Sequence, residues 1–396
     1  MKKKTLKIVA IVVGVLLLFI AGIALFILSI KKDQKATVER VQDVINVYSE
    51  FSDSVDKFND IRNELYSNTL DNVYITNIGE MDSAIQVSFK KYEDIVDEVN
   101  KVTDKLSKLC GNIYFTDSRA RTKCESYASV YEQIVNAFVS DVKSYNKNID
   151  EYNDYQKAVL TKDPGNDLYK VIPVSGTSYQ GYLVAVYDPS RISVATTKYL
   201  GKYGESITTV AKRENAIIAM NAGGFYDPDW NSNGALPHGT VISNGKVVSD
   251  YEDARVGGGF ICFTKENKLI LGKMTKEEAL AKGCRDAVEF GPYLIVNGKS
   301  SFIKGNGGWG IAPRTAIGQR KDGIVLMLVI NGRIPSSIGA DLVDLTEIME
   351  NYGAYNAANL DGGSSSELVI NQKIVNTPVA GGVNGLRDMP TFWIVK

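Results

Sequence analysis

Residues 355–367, YNAANLDGGSSSE, gather the groups that polar chemistry needs. Asp361 offers a carboxylate, Gly362 and Gly363 offer backbone that takes φ > 0 or admits close approach, and Ser364, Ser365 and Ser366 follow at once. The apolar lead-in predicts a strand ending in a tight turn. A carboxylate at a strand end, beside N–H groups and hydroxyls, is the material of a binding or catalytic pocket. The competing reading is a hairpin turn whose Asp and Ser side chains bond only local backbone.

Other stretches repeat this design. Asn221-Ala-Gly223-Gly-Phe-Tyr-Asp227 follows the apolar run AIIAM, again a strand and then glycines. Arg314 stands just before a predicted strand in GWGIAPRTAIG, an Asn-Gly-Arg turn at 331–333 follows the most apolar strand, and Arg387 opens RDMP before the last. Arginine captures carboxylate or phosphate in a bidentate fork. Taken singly, each arginine reads equally as a structural or surface ion pair. Asp227-Pro-Asp229-Trp-Asn231-Ser-Asn233-Gly234 is oxygen-rich and would suit a divalent cation such as calcium, with an Asx-rich turn as the alternative. It lacks Gly at the sixth loop position and Glu at the twelfth, where His238 stands, so it is not an EF-hand. No other cofactor and no further metal site follows from these motifs.

Composition narrows the classes. The chain has 396 residues and a net charge of −1, so bulk electrostatics gives no nucleic-acid signal. His238 is the single histidine, which excludes a multi-histidine zinc site and more than one His-based triad. No Gly-x-Gly-x-x-Gly follows a first strand and no complete Walker Gly-x-x-x-x-Gly-Lys-Ser/Thr is present, which argues against nucleotide binding.

The elements that must position these groups fall into four blocks. Residues 1–32 read as a cytoplasmic N-terminus and signal anchor. Lys2, Lys3, Lys4 and Lys7 precede a charge-free run from Ile8 to Ile30, long enough to cross a bilayer core of roughly 30 Å. No small-x-small cleavage site follows it. A single-pass cell-membrane protein with the remainder outside is the topology this predicts.

Residues 33–160 carry three apolar stripes at helical spacing. The first runs through Val38, Val41, Ile45, Tyr48, Val55, Phe58 and Leu65; the second spans Ile85 to Leu109 and the third Tyr127 to Tyr152. They predict an antiparallel three-helix, coiled-coil-like bundle, a spacer whose helices of thirty residues would each be about 45 Å long. Cys110 and Cys124 flank the second break and would close it as a disulfide outside the cell, with buried thiols as the alternative; pairing of Cys262 with Cys284 stays open.

Residues 161–170 are a turn-rich linker around Lys-Asp-Pro-Gly-Asn. Residues 171–396 are β- and Gly-rich. Strands are predicted at 182–187, 216–220, 239–242, 260–263, 268–271, 293–296, 315–318, 324–330, 358–360 and 368–370, with helices at 276–282 and 342–352, the latter capped by Asp341. The predicted fold class is α+β: a mixed-sheet C-terminal domain, expected to be the catalytic one, behind a predicted transmembrane helix and a helical bundle.

NAGGFYD, LPHGTVISNGK, GWGIAPRTAIG, the NGR turn, NLDGGSSS and the terminal RDMPTFWIV, in this order, resemble the phosphodiester glycosidase family. The resemblance runs from about Tyr182 to Lys396. It departs at Glu367, where members commonly carry a small hydroxyl residue, and at His238, where many have a smaller residue. It implies hydrolysis of a sugar-1-phosphodiester in a cell-surface glycan or glycopolymer, such as an exopolysaccharide of the cell envelope. The rival is a non-catalytic carbohydrate-binding or assembly protein. On this resemblance Asp361 is the carboxylate at the anomeric carbon, with Glu289 of VEFGPY or Asp227 as the second acid/base. Arg314 is the first choice for phosphate and Arg387 the second. Asn221, Ser364 and Ser365, with the amides of Gly223, Gly362 and Gly363, would hold sugar hydroxyls or phosphate oxygens.

Overall fold

The computed structural model describes residues 2–70, 78–111, 117–228, 232–251, 258–301, 303, 308–380 and 385–396. The chain separates into two compact units, Met1–Val73 with Asp82–Lys147, and Tyr74–Met81 with Asn148–Lys396.

The first unit consists of helix α1 (Lys2–Leu70) and most of α2 (Ile78–Cys110) and α3 (Ser118–Leu160). The apolar N-terminal run and the first bundle helix are one uninterrupted helix, because no Gly/Pro signal separates them. Within α1 lies the one described stretch long and apolar enough to cross a membrane. Phe51, Phe58, Tyr92, Val99, Leu106 and Ile134 fill the bundle core, with Phe138 packed against it. Of the predicted stripe Val38 is exposed and Val41 is buried, and Val44, outside the predicted stripe, is buried as well. The side chains of Leu65 and Ile85 lie outside the described residues. Asp141 of α3 accepts from Arg62 Nε of α1 at 2.7 Å and from the Tyr92 hydroxyl of α2 at 2.6 Å. One buried carboxylate thereby ties three helices together. Cys110 and Cys124 form a disulfide with Cα atoms 5.6 Å apart.

The second unit is α+β, and every strand pair in its sheets is antiparallel rather than mixed in direction. A seven-stranded sheet runs Tyr169–Ser175, Gln180–Val186, Val325–Ile330, Arg314–Arg320, Ala354–Asn359, Tyr293–Val296, Lys299–Ser300. Two five-stranded sheets accompany it. One is centred on Cys284–Phe290, and the other pairs Leu368–Ile370, Ile218–Asn221 and Thr391–Val395.

The strand VLMLVI shows why the large sheet is buried on both faces. Val325, Met327 and Val329 point into a core shared with Ile218, Met220 and Trp393. Leu326, Leu328 and Ile330 point into a second core. That alternation is the two-residue period of a strand. The second core is closed by Leu342, Leu345, Ile348 and Met349 of a helix at Leu342–Asn351. Its start is fixed by a capping box, in which Asp341 accepts from the Val343 and Asp344 amides while Asp344 Oδ2 accepts from Asp341 N.

The last turns of α3 pack within this second unit. Gln156 bridges the Asn351 carbonyl (2.8 Å) and the Arg320 guanidinium (2.6 Å), and Val159 is buried in the second core. Cys262 and Cys284, on neighbouring strands, are also disulfide-bonded.

Candidate active site

Strand ends converge on one cavity of about 400 Å³. Its lining includes Gly224, Asp227, His238, Phe290, Trp309, Arg333, Asp361, Gly362, Gly363, Ser364 and Arg387.

Asp361 leaves the end of Ala354–Asn359 and is held by its own backbone. Its N donates to the Ala222 carbonyl at 3.1 Å, and its carbonyl accepts from Asn221 Nδ2 at 2.6 Å. Its Oδ1 accepts from the Gly362 amide at 3.0 Å. Enclosure by protein pushes the carboxyl up to about 6, with Asp227 adding to the rise; a hydrogen bond from Ser365, the Arg387 charge and the Gly362 amide oppose it.

Arg387 ties the acidic groups together. Its Nη2 donates to Asp227 Oδ2, its Nη1 reaches Ser365 Oγ at 3.4 Å, and its guanidinium lies 4.7 Å from the centre of the Phe225 ring. Asp361, Ser365, Arg387 and Asp227 therefore form one connected network. Asp227 Oδ1 also accepts from Ser232 N at 2.7 Å. This carboxylate is committed to Arg387 and a local turn, while Asp229 and Asn231 of the oxygen-rich stretch lie outside the described residues.

Several expected residues stand elsewhere. Arg314 does not line the cavity. It is buried, and its Nε and Nη2 donate to the carbonyls of Ala340, Trp309 and Gly310. It stitches two rim loops together, and burial lowers its pKa. Asn221 is likewise buried: its Oδ1 accepts from Thr315 Oγ1 and Glu367 N while its Nδ2 holds Asp361. It is a buried strut under the carboxylate, outside the cavity lining.

Glu289 also lies outside the lining, with Oε1 accepting from Thr240 N at 2.9 Å. Gly223 packs against Val288 and the Glu289 carbonyl. The amides of Gly362 and Gly363 are occupied by Asp361 Oδ1 and the Pro313 carbonyl. Ser364 stays at the cavity, while Ser365 is fully buried beneath it. Glycine at 224 is required by space, since a Cβ there would sit 2.7 Å from the Phe290 ring.

Two lining residues carry no assigned role in the sequence reading: His238 enters there at the twelfth position of the oxygen-rich stretch and as a departure from the family pattern, and Arg333 only among the candidate arginines. Arg333, in the NGR turn, is exposed and takes φ +58, with Nη1 3.5 Å from Ser364 Oγ. Among the described residues it makes no ion pair. The NGR turn was the available signal; the folding of 331–340 against 309–314 that brings it to the cavity was not legible.

Fold and cavity together define an antiparallel α+β domain with an acid–arginine pocket. Residues 214–396 match the family model of the phosphodiester glycosidases. The chain is 30% identical over 199 residues to the SPbeta prophage-derived protein YomE of Bacillus subtilis, covering 48% of this chain and 30% of that one. It is 24% identical over 239 residues to N-acetylglucosamine-1-phosphodiester alpha-N-acetylglucosaminidase of mouse, covering 51% of this chain and 42% of the enzyme. The chain thus spans less than half the length of these relatives. A zebrafish structure of the catalytic domain of that enzyme, auto-inhibited by its pro-peptide, superposes with a TM-score of 0.48 at 20% identity, covering 60% of this chain and 86% of the other.

Proposed function

We propose that the cavity hydrolyses a sugar-1-phosphodiester. The observation that carries this reading is that a carboxylate with a raised pKa, Asp361, shares one cavity with two arginines, Arg333 and Arg387. Asp361 faces the anomeric carbon and stabilises positive charge developing there. Arg333, which makes no ion pair among the described residues, takes the phosphate. Water oxygen ends on the anomeric carbon, the bond from that carbon to the bridging phosphate oxygen breaks, and a phosphate monoester departs. Such a leaving group has a second pKa of about 6, so strong general-acid help is unnecessary. Asp227, paired to Arg387, is the second carboxylate at hand.

The family match supports this chemistry, as does the name of the mouse relative, an N-acetylglucosamine-1-phosphodiester alpha-N-acetylglucosaminidase. We extend the reading to a cell-membrane anchor with a cytoplasmic N-terminus and the catalytic domain outside, acting on a cell-surface glycan. Support comes from the apolar stretch behind four lysines and from two disulfides, which persist in oxidising compartments. The test is turnover by the detergent-solubilised full chain on a panel of sugar-1-phosphate methyl diesters. Release of sugar supports the reading; binding without release on every member supports a carbohydrate-binding protein instead.

A further inference from the structure

Glu367 stands two residues beyond Ser365, outside the cavity lining and completely buried. Its contacts connect both halves of the site. Oε1 accepts from the backbone amide of Arg387 at 2.7 Å. Its own amide donates to Asn221 Oδ1 at 3.2 Å, and its carbonyl accepts from the Asn221 amide at 3.4 Å. Asn221 in turn holds the Asp361 carbonyl. The other carboxyl oxygen, Oε2, has no hydrogen-bond partner among the described residues. A buried carboxylate with one oxygen unpaired is a costly arrangement, and one that a small hydroxyl residue would avoid.

We propose that Glu367 is a positioning residue that fixes the segment bearing Arg387, and so sets the Arg387 guanidinium between Asp227 and Ser365. This rests on the reading of the cavity as a phosphodiester glycosidase site. Only a side chain of this length reaches from the strand entry at 367 to the Arg387 amide; serine would leave that N–H unpaired and the segment unanchored. Burial pushes the Glu367 carboxyl up to about 8, and the charged groups acting on it are Arg387, which lowers it, and Asp388, which raises it. The carboxyl is therefore neutral through most of the working range. Ionisation above that range places a charge where Oε2 meets no donor, which loosens the Arg387 segment. Activity should then fall on the alkaline side.

The experiment compares E367Q, E367S, R387A and the double variant E367S/R387A in the full chain, in detergent, on a phosphodiester that the wild type turns over. E367Q keeps the carbonyl acceptor and cannot ionise. It should retain kcat/KM within about threefold near pH 6 and shift the alkaline limb upward. E367S should lose at least tenfold in kcat/KM, with little further loss when added to R387A. Hydrogen exchange of the 386–389 segment, which needs no turnover, should speed up in E367S and not in E367Q. Identical alkaline limbs in E367Q and wild type, or an E367S loss of equal size with and without Arg387, would overturn the proposal. Exchange at 386–389 unchanged in E367S would overturn it too. Absence of wild-type turnover counts against the functional reading, and the exchange measurement then decides the positioning role alone.

Discussion

Arg387 and Asp227 form a direct ion pair in the cavity wall, with side chains only 17% and 12% exposed. Because the same guanidinium also reaches Ser365 and covers the Phe225 ring, most of its capacity is already committed. Arg333 differs. It is exposed at the cavity, and among the described residues its one side-chain hydrogen bond is the long contact to Ser364. On the proposed reading, Arg387 organises the acids and Arg333 meets the incoming anion.

Replacing Arg333 by glycine tests that division. The phosphate contact disappears, so KM for a sugar-1-phosphodiester should rise about tenfold or more, with little change for an aryl glycoside of the same sugar. Stability should hold or improve by up to about 1 kcal/mol, because glycine tolerates the φ of +58 that strains arginine. Steady-state kinetics on both substrates, with a thermal melt, provides the check. Equal losses on both substrates would remove Arg333 from the phosphate role.

The bundle should depend on one side chain. Asp141 is buried and bonded to Arg62 and Tyr92, so D141A leaves a cation and a hydroxyl without their shared acceptor. Loss of such a buried network should cost about 3 kcal/mol or more. The helical signal of the full chain should melt at distinctly lower temperature, whereas turnover below that temperature should be unchanged. A melt matching wild type would show that apolar packing alone holds the three helices.

Glu367 also gives stability a pH dependence of definite sign. Its folded pKa of about 8 lies above the ordinary 4.5. Between these values the unfolded chain has released the proton and the folded chain still holds it. Stability is therefore full below about 4.5 and falls as pH rises through about 8. E367Q has no such proton to lose. The melting temperature of E367Q minus that of wild type should increase steadily from pH 5 to pH 8.5, by several degrees in all. A difference that stays constant across that range would mean Glu367 ionises normally.

Much of this architecture was written in local pattern. The run 324–330 was legible because its apolar continuity demands burial on both faces, and the helix after Asp341 because cap and period agree. The strand Cys284–Phe290 was not, since Asp286 interrupts the apolar pattern while being buried, its carboxylate accepting from Val194 N. Helix Ile207–Glu214 was too short to show a period.

At the site, Asp361, Gly362, Gly363, Ser364, Asp227 and Arg387 do share one cavity. Asn221 and Arg314 carry the right chemistry for a pocket but are consumed by partners that only folding brings near. Thr315, 94 positions from Asn221, is one; Ala340, 26 positions from Arg314, is another. Sequence displays a side chain's capacity, and only the tertiary contacts show whether that capacity is already spent.

The central claim is that Asp361 acts at the anomeric carbon, and D361N measures it most directly. Asparagine preserves shape and the acceptor for the Gly362 amide but carries no charge. In the wild type kcat/KM should climb as pH passes about 6, where the carboxyl ionises. D361N should lose that dependence and lower kcat by about a thousandfold or more with little change in KM. Because the wild-type carboxylate is held in an unfavourable enclosure, D361N should melt no lower than wild type at pH 7. Kinetics of D361N and wild type on one sugar-1-phosphodiester, from pH 5 to 8, is the decisive measurement. The account predicts a folded, substrate-binding, nearly inactive protein; a folded D361N with wild-type kcat and the wild-type acid limb would contradict it.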